Sequence, residues 1–496
     1  MNSDPATDTA LEESRTAGCS GEAARRAGVR GRSVMFLALL LAAYGVGLVR
    51  QLDEPWIGLH DWNGAFYSQL ARNLIRYPFR DHHAMPLVAV GDDAPPEERS
   101  IYATHPAGLV WVMAAAFRVF GEGESAARLA AVLGSLVALA AWVALVAESR
   151  GREPALLSGL LYAAMPMAVY FGRMSNHEAF CLCGMVVALY MVRRANSAAD
   201  PRRVRPGFLA AGLAAMACTI LIDWVGVLFA GLLCVHVFRA YRTGRAAGIG
   251  VIAVAAAAFA ATGAVILHIV YGGLDGEWAD LVAIFTSRSG AIERQATELF
   301  WLNTVDNLTL PGIALSAIGL ACMLWRRASG RGRPSAAYAT AALPGGSGVW
   351  VLVATGLIWL LLFRRQYQIH QYWLFYLGPP IALCASTAIL FFRDLARRFG
   401  ERVATGAVAI TVLTLLLAGQ RTVDSLFSQR SWKLDFVRYC EELRAATPRG
   451  ERVVLERDPI SRETFGGYVF RNIVPPQLAY YLDRPFVVRT APEGAP

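Results

Sequence analysis

The residues able to do chemistry gather in a few short polar stretches between long apolar ones. The richest runs from Leu52 to Pro106 and carries eight carboxylates and four histidines. His60, Asp61 and Trp62 stand near its start, Tyr102 and His105 at its end. Further along, His177 and Glu178 close the link GRMSNHE, Asp223 interrupts two apolar runs, and Arg364 and Arg365 precede His370 and Tyr372. Carboxylates and imidazoles can hold or pass a proton. Acidic groups at membrane depth are costly, which points to function. The alternative is that Asp61 and Glu178 are solvated loop residues. His60, Asp61, His105, His177 and Glu178 also offer nitrogen and oxygen donors to a divalent metal ion, although no linear metal-site spacing joins them. His82 and His83 read as loop surface.

These groups need a scaffold, and the composition says which kind. The 496 residues are 55% hydrophobic and 17% charged, where a soluble domain carries roughly 25% charge. Mean hydropathy is +0.39. Many apolar stretches near the ~20 residues needed to cross a bilayer are joined by arginine-bearing links, so the chain reads as an all-α polytopic membrane protein. The net charge of +9 does not imply nucleic acid, because the arginines fall at segment ends, where topology accounts for them. Of the eight cysteines, Cys181, Cys183, Cys218, Cys234, Cys322 and Cys384 lie in apolar segments. They act there as small hydrophobes and form no disulfide framework.

Residues 1–32 lack periodicity and read as a disordered cytoplasmic N-terminus. Arginines before the apolar run from Val34 to Val49 put that end inside and the loop 51–124 outside. Within the loop, Ala65 to Arg80 has helical apolar spacing with Arg72, Arg76 and Arg80 on another face, a pattern that suits a membrane surface. If His105 to Phe120 spanned the bilayer, the later arginine clusters would fall outside. Taken as interfacial or re-entrant, it restores the positive-inside pattern. The spans then number about eleven, near 34–49, 125–147, 154–171, 179–194, 207–222, 225–240, 246–271, 311–325, 346–363, 372–392 and 403–419. The membrane domain is 33–420. The acidic loop Gly272–Leu310 has room for a surface helix in its middle. The external tail 421–496 offers a helix at Leu434–Ala446, a strand at Arg452–Leu455 and a short helix at Pro476–Leu482. That makes it a small α/β region that packs on the membrane part.

An ordered set of motifs carries a family resemblance. It begins with the early acid of the first loop, the amphipathic helix, YATHP (102–106) and GEGESAARL (121–129). AMPMAVYFGRMSNHE (164–178) and QYQIHQYWLFYLGPP (366–380) follow. The set resembles the GT-C membrane glycosyltransferases, in particular the ArnT-like and protein O-mannosyltransferase-like branch (glycosyltransferase family 39-like). The resemblance is good over residues 34–240, thinner to 420 and absent from the tail. It departs from the family at His105-Pro106-Ala107, where Lys-Pro-Pro is common. A second departure is at Trp62-Asn63, where a second acid often follows the first.

The resemblance implies a GT-C helical bundle with surface helices in the first external loop. It also implies sugar transfer from a polyprenyl-phosphate donor to a lipid, glycan or protein acceptor, with inversion, on the external face; the short loops and the Ala, Arg and Gly bias suit a bacterial cytoplasmic membrane. Asp61 matches the family's first-loop acid and would be the base. Glu178 matches its second acid and would orient the acceptor or hold a divalent cation. Cations should gather at the departing lipid phosphate; Arg364 and Arg365 are candidates, with His105 and Arg173 beside them. Trp62, Tyr102, His177, His370 and Tyr372 would line the substrate groove, and Arg128 would be a structural partner between helices. The rival functions are a lipid-linked-sugar carrier or flippase and an inactive GT-C-like binding scaffold. The carrier reading is disfavoured by the absence of an internal repeat and by polar residues collected at one face.

Overall fold

A computed structural model describes residues 31, 33–92, 94–195, 204–240, 245–271, 286, 294–328, 348–364, 367, 370–431, 434–456 and 476–489. The expected N-terminal disorder and the middle of the 272–310 loop therefore lie outside the described residues. The apolar runs fold as helices. The first is α1 (Ser33–Leu48), and α2 (Asp61–Arg76) and α3 (Phe79–His82) follow in the first loop. Next come α4 (Gly108–Phe120), α5 (Glu124–Arg150), α6 (Arg152–Ala163), α7 (Pro166–Phe171) and α8 (His177–Ala195). The bundle continues through α9 (Pro206–Ile222), α10 (Val225–Ala240), α11 (Arg245–Tyr271), α12 (Arg294–Leu308) and α13 (Leu310–Ala328). It closes with α14 (Val349–Leu362), α15 (Gly378–Ala396) and α16 (Glu401–Ser428). Among the described residues four helices are long and apolar enough to cross a membrane alone, and five if a bent pair counts as one span. The chain is a multi-pass membrane protein.

Several expectations are revised, each for a local reason. The 154–171 stretch is two helices. Pro166 opens α7, and a proline there has no N–H for the preceding turn. The stretch beginning at residue 372 starts instead as a 3-10 turn, Gln371–Leu377, before α15. Helix α12 occupies the end of the 272–310 loop, set at 89° to α13. The first-loop helix starts at Asp61 and ends at Arg76, before Tyr77 and Pro78, so Arg80 is left on the short α3. Its Arg72 and Arg76 do not face lipid headgroups. They pair with Glu122, Asp92 and Asp483.

Helix α4 has 13 residues, about 20 Å at 1.5 Å per residue, short of a hydrocarbon core roughly 30 Å thick. Both of its ends are tied to α2. Ahead of it Tyr102 packs edge-on against Phe66 at 5.0 Å, and beyond it Glu122 pairs with Arg72. It is thus held along α2.

The tail forms α17 (Leu434–Ala446), β1 (Val453–Glu456), α18 (Pro476–Leu482) and β2 (Phe486–Arg489). Strands β1 and β2 pair in parallel, Val453 opposite Phe486; β2 had no sequence signal. Helix α18 lies on α2.

One consequence can be tested in intact cells. In a background without native cysteines, Arg80→Cys and Arg118→Cys should both react with a membrane-impermeant maleimide from the same side. Arg398→Cys should react only after lysis. Arg118→Cys labelling with Arg398→Cys instead would mean that α4 crosses the membrane.

Candidate active site

Asp61 is the first residue of α2, and the turn before it places its side chain. His60 caps that helix in the left-handed region, φ 61°. The Asp61 carboxylate folds back so that its Oδ2 accepts the Gly58 N–H at 2.8 Å. The same oxygen accepts Arg128 Nη2 at 3.1 Å. Arg128, in the second turn of α5, is 1% exposed. Its Nη1 donates to the carbonyl of Leu52 at 3.0 Å and to that of Glu54, and its guanidinium lies 4.2 Å from the centre of the Trp56 ring. A buried cation needs that many acceptors, because unpaired it would cost several kcal/mol. Both hydrogen bonds to Asp61 therefore fix its orientation through one oxygen.

A second pole forms beside the middle of α2, against Tyr67. Asp223 stands in the break between α9 and α10, and its Oδ1 accepts from His105 Nδ1 at 3.1 Å and from the Trp224 N–H at 2.7 Å. Burial works against the Asp223 charge, but the His105 hydrogen bond and charge prevail, and the carboxyl titrates below its ordinary range. His105 stacks on His177 with ring centres 4.4 Å apart. His177 meets Tyr67 edge-on at 4.8 Å, and its Nδ1 donates to Asn176 Oδ1 at 3.1 Å. Glu178 is 3% exposed, and its Oε2 has no hydrogen-bond partner among the described residues.

Aromatic and polar side chains join the poles. His60 meets Tyr372 edge-on at 5.2 Å, and its Nε2 lies 3.2 Å from Gln371 Nε2. Burial pushes the His60 imidazole down to about 4, so it is neutral at neutral pH. Asn63 Nδ2 donates to the Tyr372 hydroxyl at 3.1 Å, Tyr372 bonds His370 Nδ1, and Trp62 packs on His370 at 5.9 Å. Tyr102 lies over His105, ring centres 6.2 Å apart.

Among the described residues Asp61 and Glu178 share no hydrogen-bond partner: Asp61 faces Arg128, and Glu178 follows His177, whose ring stacks on His105. Two expectations change. Arg173 is buried and turned to the loop backbone, donating to the carbonyls of Arg50 and Gln51, which leaves it a structural contact. His60, Asp61, His177 and Glu178 do not converge. Among the described residues no group of three or more His, Cys, Asp or Glu could hold a metal ion.

Arg364 is exposed just past α14, beside Phe363, which packs on Trp373 at 5.7 Å; Arg365 lies outside the described residues. The sequence reading singled out Asp223 as a lone acid between two apolar runs but gave it no role, and it missed Asn63 and Tyr67.

Beside the second pole lies an apolar cavity of about 310 Å³, lined by Pro106, Ala107, Trp111, Leu221, Ala264 and His268 among others.

This architecture recurs among known proteins. The chain superposes on ArnT from Cupriavidus metallidurans bound to undecaprenyl phosphate with a TM-score of 0.61 at 14% identity, covering 92% of this chain and 86% of that one. The chain has the GT-C fold. The archaeal oligosaccharyltransferase AglB from Archaeoglobus fulgidus, in complex with an inhibitory peptide and a dolichol-phosphate, matches with a TM-score of 0.57 at 13% identity. That match covers 91% of this chain and 64% of AglB. The family model for dolichyl-phosphate-mannose-protein mannosyltransferase matches residues 104–220 of this GT-C chain, the stretch that holds His105, Arg128, His177 and Glu178. No curated protein matches.

Arg128→Met should lower stability by about 3–5 kcal/mol, the usual cost of breaking a buried ion pair from one side. It would be read as a fall in the thermal unfolding temperature of the purified protein. Arg128→Lys should restore only part, since one ammonium cannot serve both the carbonyls and Asp61 as the planar fork does.

Proposed function

We propose that the chain is a glycosyltransferase that takes a sugar from a polyprenyl phosphate on the external face of a bacterial cytoplasmic membrane. Asp61 is the base. The observation that carries this is the setting of Asp61 in a GT-C bundle. It is a buried carboxylate at the head of α2, oriented through Oδ2 by Gly58 and Arg128 and next to an aromatic wall.

Asp61 accepts the proton of an acceptor hydroxyl as that oxygen attacks the anomeric carbon. The bond from that carbon to the phosphate oxygen breaks, its electron pair leaves with the polyprenyl phosphate, and the anomeric configuration inverts. Glu178, at the opposite pole with Oε2 unpartnered, orients the acceptor or the sugar. Arg364, exposed at the end of α14, meets the charge that develops on the leaving phosphate, together with Arg365.

His105 is committed to Asp223 and shapes the wall beside the phosphate. Trp62, Tyr102, His177, His370 and Tyr372 present flat faces and hydrogen-bonding tips, which suit a sugar ring. The apolar cavity beside Pro106 and Ala107 is placed for the first isoprene units of the donor. The acceptor is a hydroxyl on a lipid, a glycan or a protein.

The deciding experiment uses purified protein in lipid nanodiscs with undecaprenyl- and dolichyl-phosphate-linked sugars, measuring release of the polyprenyl phosphate. Asp61→Asn, folded as the wild type, should lose at least ~100-fold in rate, the lower end of what a positioned base supplies. A wild-type rate would remove Asp61 from the chemistry. Movement of the lipid-linked sugar across the bilayer without release would mark a carrier, and binding alone a scaffold.

The cavity gives a separate check. Ala264→Trp should raise KM for long-chain donors several-fold while sparing a donor cut to two isoprene units, because a filled cavity costs only contacts the long chain makes.

A further inference from the structure

The tail lies outside the region of sequence resemblance, yet it touches Gly58 and the Trp56 ring that lies against Arg128. Trp56 is fully buried, with Arg128 over one face at 4.2 Å and the Tyr480 ring against it at 6.5 Å, edge-on. Its N–H donates to the Tyr481 hydroxyl at 2.6 Å, and that hydroxyl donates to Glu124 Oε1 at 2.7 Å. Glu124 and Arg128 are four residues apart on α5, on one face of the helix. Gly64 of α2 lies so close to the Trp56 ring that a Cβ there would run into it.

A second tie holds the turn itself. Gly58 bridges Arg430 in antiparallel fashion, and the Ser431 N–H donates to the Ile57 carbonyl at 2.8 Å. Residues 56–58, whose last N–H holds Asp61 Oδ2, are thus gripped by the tail at two points 50 residues apart in the chain (from Arg430 to Tyr480). Arg72 and Arg76 clamp α18 onto α2, Arg72 through the Tyr480 carbonyl at 2.8 Å and Arg76 through both oxygens of Asp483 at 2.8 and 2.9 Å.

We propose that the C-terminal tail positions Asp61, acting through Trp56 and Arg128, with Tyr480 and Tyr481 as the positioning residues. None of them touches the reacting atoms. Tyr481 holds the backbone of Trp56 and Glu124 at once, Tyr480 packs the Trp56 ring against Arg128, and Arg128 holds Asp61 Oδ2. The catalytic meaning rests on the function proposed above; the mechanical coupling does not, so the two can fail separately.

The test is hydrogen–deuterium exchange on the full-length protein in nanodiscs. Tyr481→Phe and Tyr480→Ala are the variants, Tyr480→Phe is the conservative rescue, and Arg438→Ala on the exposed face of α17 is the control. In Tyr481→Phe and Tyr480→Ala the amides of Gly58 and Asp61 should exchange about tenfold faster, the change expected for one lost buried hydrogen bond or ring contact. Exchange in α5 and α15 should stay unchanged. Tyr480→Phe and Arg438→Ala should match the wild type, and undecaprenyl phosphate should bind all variants within twofold. On whichever donor of the polyprenyl-phosphate-linked sugars above the wild type turns over, kcat should fall about tenfold with KM within twofold.

Unchanged exchange at Gly58 and Asp61 in both variants would overturn the proposal, as would faster exchange spread evenly over the bundle. If Asp61→Asn keeps the wild-type rate while the local exchange still rises, the catalytic assignment falls and the tail's grip on the turn stands.

Discussion

A guanidinium buried beside the first loop is the constraint on which the rest of this structure depends. Arg128 sits in an apolar helix with almost no contact with solvent, where an unmatched charge would be prohibitive. Its acceptors come from what precedes α2: the carbonyls of Leu52 and Glu54, and Asp61 itself. Meeting that demand forces residues 51–61 to wrap around one side chain. The loop becomes a packed layer on the bundle, and an acid that could have been a solvated surface group becomes a fixed, buried one. The Trp56 ring under the guanidinium adds a cation–π contact and excludes water from the same spot.

The second pole is built on a different principle. Helix α9 carries no charged residue and α10 none before Arg239 in its last turn, and Asp223 occupies the short break between them. There it takes the Trp224 N–H and the His105 ring. His105 in turn stacks on His177, which heads the helix that carries Glu178. A charge placed where two helices end thus organises a segment from α4 and another from α8. Between the poles the wall is aromatic, with polar tips tied to one another through Asn63, Tyr372 and His370. A site so arranged holds one carboxylate in fixed orientation at one end and an incompletely paired one at the other, with flat apolar surface between.

The tail supplies partners that the first loop needs. The bundle superposes on ArnT and AglB over most of its length, and the family model ends at residue 220, well before the residues beyond 420. Yet those residues supply the hydroxyl that the Trp56 N–H requires and the carboxylate that Arg76 requires. Both requirements arise inside the first loop, where Asp92 meets only part of the second. Two short strands and two helices could not form a large core of their own; here they fold against α2 instead.

Much of the architecture was legible from residue order. Apolar run lengths mark where most of the helices lie. The acid at the head of α8 stands out because charge is rare in that stretch, and the acid at the head of α2 because it opens an amphipathic helix. Those are properties of a local window, where periodicity and composition act over one or two turns.

What only the tertiary structure decided are the partnerships. Asp61 meets an arginine 67 positions away, His105 an acid 118 away, and Trp56 a hydroxyl 425 away. Arg173, a phosphate ligand by position, is turned to a backbone carbonyl 122 residues back. Nothing in a window of sequence encodes such pairings. They follow from which helix faces meet and where buried charge must find its counterpart, and that is settled once the whole chain has packed.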